Sequence, residues 1–204
     1  MSEVGLPLTE LGVAVRTLAG QRECGDLYLF RPFAHGLLVA AIDGLGHGEE
    51  AAAAAKAAVD TLSNHPQAPV AELFERCHQS LKSTRGAVMS LASFRGNGHM
   101  TWAGVGNVEG RLLRAEPGKG PTSESLMLLG GVVGYAMTSP RVSTVELRPG
   151  DTLIFATDGI RERFTEGIDL SESSQIMAET ILARHGKATD DALDVVVRYL
   201  GSRR

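Results

Sequence analysis

The chain has 204 residues, 43% of them hydrophobic, enough for one domain with a sizeable core. Its formal net charge is −4, without the basic stripe that a nucleic-acid surface needs. Two lone cysteines make neither a disulfide framework nor a zinc site. No apolar run reaches the eighteen or so residues of a membrane span and no signal peptide is legible, so a cytoplasmic protein that touches neither membrane nor nucleic acid is expected.

Residues 1–12 read as a weakly tied start, and Val13 to Leu18 alternates as a strand. A turn-rich Gly20–Gly25 stretch precedes a second strand that begins on Asp26. Leu37 to Ile42 is its expected hairpin partner, ending on Asp43. Three glycines in five residues follow (Gly44, Gly46, Gly48), with His47 among them. The Ala51–Ala55 block then makes 49–62 a helix of high intrinsic propensity, its first turn carrying Glu49 and Glu50. Alanine keeps this helix slim enough to lie close to a sheet. A second helix is expected over 69–84, where Val70, Leu73, Phe74, Cys77 and Leu81 form one stripe. Cys77 reads as core and His78 as a surface histidine.

Strand periodicity returns over 87–94 and 100–104 around a Gly96-Asn97-Gly98 turn, and again over 108–114. Residues 115–125 read as a loop, and Gly130, Gly131 and Gly134 as a bend. Val142–Leu147 and Thr152–Thr157 are expected to pair as a hairpin through Arg148-Pro149-Gly150-Asp151. A third helix spans 173–185 with Gly186 as its C-cap, and a last strand spans 193–199. Such hairpins and helices suggest stacked sheets covered by helices. Arg203-Arg204 reads as a solvated tail.

Two apolar strands end on Asp-Gly, at 43–44 and 158–159, whereas Asp26 and Asp190 precede strands. In antiparallel sheets one strand's exit lies beside its neighbour's entrance, so four carboxylates can gather at one rim. That suits hard divalent cations with oxygen ligands, although the same residues also suit ordinary turns. No zinc motif, serine-hydrolase elbow or nucleotide-binding loop competes.

In order, Cys24-Gly25-Asp26, Asp43-Gly44-Leu45-Gly46-His47-Gly48, Arg85-Gly86-Ala87, Gly104-Val105-Gly106-Asn107-Val108, Thr157-Asp158-Gly159 and Asp190-Asp191 resemble the metal-dependent protein phosphatases of type 2C, in their SpoIIE-like branch. The resemblance covers about residues 13–200 and is greatest to the short stand-alone stressosome phosphatases. It implies an α+β fold, a four-layer αββα sandwich of two antiparallel sheets flanked by helices, in a single domain over 1–204. It implies two Mn2+ or Mg2+ ions and hydrolysis of phosphoserine and phosphothreonine by in-line attack of water. Asp43 resembles the ligand shared by both ions, with the Gly44 carbonyl on one. Asp158 and Asp190 resemble ligands of the other, and Asp26 the acid that holds a water on the metal. Arg22 could grip phosphate, and His47 could serve as an acid. Leu45 stands where animal relatives carry histidine, and Leu193 where the last motif usually has threonine; the latter leaves Asp190 and Asp191 as alternatives, of which motif order prefers Asp190. The expected partners are phosphorylated STAS-domain stressosome proteins. The alternatives are an anti-anti-sigma factor as substrate, or a catalytically silent binding module.

Overall fold

The computed structural model describes residues 6–116 and 122–203. It is built from β1 (Leu6–Arg16), β2 (Asp26–Phe33), β3 (Gly36–Gly44), α1 (Glu49–Asn64), α2 (Val70–Ser80), β4 (Ala87–Arg95), β5 (His99–Val105), β6 (Glu109–Leu113), β7 (Ser123–Ser125), β8 (Leu128–Leu129), β9 (Gly131–Val132), β10 (Ala136–Met137), β11 (Ser143–Glu146), β12 (Thr152–Ala156), α3 (Ser174–His185) and β13 (Ala192–Arg203). One sheet runs β1-β13-β12-β6-β7 and the other β11-β5-β4-β3-β2, with β9–β10 a small separate ribbon. The pairing is antiparallel except where β8 joins β5 in parallel. Among the described residues no helix is long and apolar enough to cross a membrane.

Three apolar layers separate four layers of structure. Leu73, Phe74 and Cys77 of α2 and the alanines of α1 pack on Leu38, Ala40 and Ile42 of β3. Val39, Trp102, Phe155 and Val195 fill the space between the sheets. Met177, Ala178 and Ile181 of α3 cover Ile154, Ala156 and Val196 on the far side. Alternation along a strand sends odd and even residues of β3 and β13 into different layers. The expected αββα sandwich is therefore present, and Cys77 lies in the core with its thiol pushed up to about 12 by burial.

Two close approaches set the helix positions. Any side chain on Gly44 would meet the Ala51 carbonyl oxygen at 2.0 Å, so α1 rests directly on the end of β3. A side chain on Gly12 would meet the Ser174 carbonyl oxygen at 2.1 Å, where α3 crosses β1. Gly12→Ala is therefore expected to lower the unfolding free energy by about 2–3 kcal/mol, read by urea denaturation, because neither backbone can yield without shearing the layer. A change within error would show that the helix shifts freely.

Several local expectations are corrected. From Leu6 onward the start of the chain is not frayed: β1 pairs with β13 from Leu6↔Arg203 to Arg16↔Ala192, with a register shift between Leu8 and Thr9. As an edge strand it is held by its backbone ladder, and Leu6, Leu8 and Leu11 stay exposed, so its side chains show no clean alternation. The last strand is correspondingly longer than 193–199. The 142–147 and 152–157 segments do not pair with each other. β11 pairs with β5 in one sheet and β12 with β13 and β6 in the other, so Arg148–Asp151 is a crossing between sheets. Asp151, 1% exposed, fixes that crossing by accepting bonds from Arg114 Nη1 at 2.6 Å, Arg148 N at 3.0 Å and Ala115 N at 3.1 Å. The second helix stops at Ser80, short of Thr84, and continues as turns. Gly186 caps α3 with extended backbone (φ −65°), not the left-handed form, and is glycine because a side chain would strike the Leu182 carbonyl and Arg16. His78 is half-buried and accepts the Gly134 N–H at Nδ1, which ties the β9–β10 ribbon to α2. Of the expected 115–125 loop, residues 117–121 lie outside the described residues, as does Arg204 of the expected tail; Arg203 belongs to β13.

One buried carboxyl has no such explanation in the fold. Asp194 on β13 is fully buried, and neither carboxylate oxygen has a hydrogen-bond partner. It falls on the α3 face of the sheet, between Ala14 of β1 and Ala156 of β12, in register with both. Burial alone pushes its carboxyl up to about 8.

Candidate metal and phosphate site

The rim where both sheets end at the same side collects aspartates from four segments. Asp26 opens β2 directly opposite Asp43 near the end of β3. Asp158 follows β12, and Asp190-Asp191 precede β13, which pairs with β12. A cavity of about 290 Å³ opens there, lined by Asp43, Leu45, Gly46, His47, Val88, Asn107, Asp158, Thr189 and Asp190. Three of the expected ligands, Asp43, Asp158 and Asp190, thus face one space, and His47 stands on its wall.

The other expected residues lie behind or away from that wall. Asp26 is 3% exposed and accepts a 2.7 Å hydrogen bond from Thr157 Oγ1. Gly44 is pinned between α1 and the 25 loop, its N–H donating to the Gly25 carbonyl at 3.0 Å. Arg22 is exposed and is not among the lining residues. The adjoining acids divide by orientation. Asp190 lines the cavity, whereas Asp191 is buried and accepts the N–H groups of Leu18 and Gly25 at 2.7 Å each. Asp191 thereby stitches the 18–25 loop to the start of β13.

Three supporting residues were not assigned roles from sequence. Asn107 Nδ2 donates to Asp158 Oδ2 at 2.9 Å, Thr157 holds Asp26, and Lys187 Nζ donates to the Asp158 carbonyl. Asn107 and Thr157 lie inside the quoted motifs, Gly104–Val108 and Thr157–Gly159, which was the available signal. Lys187 had none.

The electrostatics are unfavourable for the bare carboxylates. Burial first, then Asp26, Asp158, Asp190 and Asp191, push the Asp43 carboxyl up to about 8. Burial also raises Asp26, to about 7; the Thr157 hydrogen bond opposes this, and Asp191, Asp158 and Asp190 add to it. Asp190 is raised as well, chiefly by burial and then by Asp158. Among the described residues no three acidic, histidine or cysteine side chains close on one point as a finished cage. The donor chemistry nevertheless fits a hard divalent cation: the cavity offers aspartate oxygens whose mutual repulsion a cation would relieve, with no thiolate on its wall. Cys24 is no rival nucleophile, since burial holds its thiol at about 12.

Known proteins resemble this chain in sequence and in fold. Residues 34–204 match the family described as Stage II sporulation protein E (SpoIIE). The phosphoserine phosphatase RsbX of Bacillus subtilis (strain 168) is 30% identical over 164 residues, 76% of this chain and 79% of that protein. A structure from work on the bacterial stressosome as a modular system adapted to control secondary messenger signalling superposes with TM-score 0.84 at 28% identity, over 94% of this chain and all of that one. RsbX crystallised with magnesium superposes with TM-score 0.81 at 23% identity, over 94% and 95% of the two chains. The chain belongs to the SpoIIE family, as an RsbX-like domain of the type 2C (PPM) phosphatases.

Proposed function

We propose that this protein is an Mn2+- or Mg2+-dependent serine/threonine phosphoprotein phosphatase that dephosphorylates STAS-domain proteins of a stressosome and so resets a stress signal. The observation that carries the reading is the convergence of Asp43, Asp158 and Asp190, from three separate chain segments, on one open cavity. Likeness to a phosphoserine phosphatase supports the reaction, and likeness to a protein studied within the bacterial stressosome supports the partner.

Asp43, Asp158 and Asp190 would hold the ions from the cavity wall, and the Gly44 carbonyl, off that wall but next to Asp43, is the further ligand that the family resemblance implies. Divalent cations bound there neutralise phosphoryl charge and lower the pKa of water. Asn107 orients the Asp158 carboxylate, and Thr157 fixes one oxygen of Asp26 behind Asp43; the water-holding role that the resemblance implies would fall to the rest of that carboxylate. His47, exposed on the wall, would give a proton to the departing serine oxygen. The open cavity suits a phosphoserine carried on a folded surface.

The test is phosphate release from a kinase-phosphorylated STAS-domain protein in EDTA, Mg2+ and Mn2+, with a phosphorylated anti-anti-sigma factor as the rival substrate. Cation-dependent release that favours the STAS protein is expected. Equal or greater release from the rival would reassign the partner, and none from either would reject the activity.

A further inference from the structure

A phosphoryl dianion entering a cavity walled by carboxylates needs a cationic group of the protein as well as neutralised aspartates. Arginine is best suited, because its planar fork grips two phosphate oxygens at once. Of the basic residues around the rim, Lys187 is engaged with the Asp158 backbone and Arg22 lies off the wall. Arg85 is different. Its Nη1 lies over Gly46, a lining residue, so closely that a side chain there would come within 2.9 Å of it. The Leu45 N–H donates to the Gly86 carbonyl at 3.0 Å, which fixes the backbone beside Arg85 against the Asp43–Gly48 loop.

Arg85 is paired with Glu50, in the first turn of α1, and both side chains are more than half exposed. An exposed ion pair is weak and exchangeable. We propose that Arg85 is the residue that receives the substrate phosphoryl group, and that Glu50 occupies it competitively until phosphate arrives. The inference rests on the phosphatase reading.

The test is calorimetric titration with inorganic phosphate in saturating Mg2+, alongside KM and kcat on the phosphorylated STAS protein. Arg85→Ala is expected to weaken phosphate binding and raise KM roughly 10- to 100-fold, with a smaller change in kcat. Arg85→Lys restores part of the loss, since it keeps the charge without the fork. Glu50→Gln tightens phosphate binding in the parent and has no effect beside Arg85→Ala. A merely structural ion pair predicts the opposite, both single variants weakening binding together; that result, or unchanged phosphate binding in a folded Arg85→Ala protein, overturns the assignment. If the parent protein released no phosphate at all, the phosphatase reading would fail, yet the titration would still decide on Arg85.

Discussion

Asp43→Asn is expected to lower phosphatase turnover by on the order of 1,000-fold or more while raising the melting temperature of the cation-free protein. The two effects share one cause. Asp43 faces the cavity beside Asp158 and Asp190 and opposite Asp26, and burial plus these neighbours hold its carboxyl near 8. A neutral amide of the same shape ends that repulsion, so the bare fold gains. On the proposed reading the same change also removes an anionic oxygen whose charge would supply several kcal/mol of cation binding and phosphoryl neutralisation, and each 1.36 kcal/mol is about tenfold in rate. Adding Mg2+ should raise the melting temperature of the parent more than that of the variant. A variant that keeps its turnover, or melts earlier without cations, would remove Asp43 from the site.

The second large effect concerns a carboxylate with no catalytic assignment. Asp194 has a folded-state pKa of about 8, against an ordinary 3.8. The folded protein therefore binds one proton more than the unfolded chain between those values. Its contribution is fully present below pH ~4, declines as pH rises towards 8, and is constant above that. Over about four pH units the loss is on the order of 5 kcal/mol. Asp194→Asn should flatten the slope and raise stability at pH 8 by about 2–4 kcal/mol, less than the full amount because the amide is also buried unpaired. Asp26 and Asp43 slope the same way without cations, so the comparison belongs in saturating Mg2+. Urea denaturation at pH 5, 6.5 and 8 reads it. Parallel pH curves for parent and variant would mean that Asp194 finds a partner or water on folding.

Much of this was legible in the primary structure, for identifiable reasons. Strong local signals gave α1, α2, β3, β4 and the Asn97-Gly98 turn: an alanine block, a helical apolar stripe and continuous apolar runs. The rim aspartates were visible because each sits where an apolar run stops or starts. What was missed depends on partners distant in sequence. β1 owes its order to β13 at the other end of the chain, and nothing in Leu6–Gly12 announces that. The 142–157 segment reads as a hairpin because its turn residues are right, yet Asp151 binds Arg114 and Ala115 and the strands part into different sheets. Asp194 sits within an apolar run as though it were one more valine, and only the layer it faces shows its cost.

The pairing of Leu6 with Arg203 bears on how the molecule assembles. The β2–β5 core of one sheet lies within residues 26–105 and can form from a short stretch of chain. The other cannot close until its most distant segments meet, and such nonlocal pairing is slow. Asp26 and Asp43 would thus be set early, and Asp158 and Asp190 would join them only as the final ladder zips. During synthesis on the ribosome, a half-made molecule would carry only part of its acidic rim.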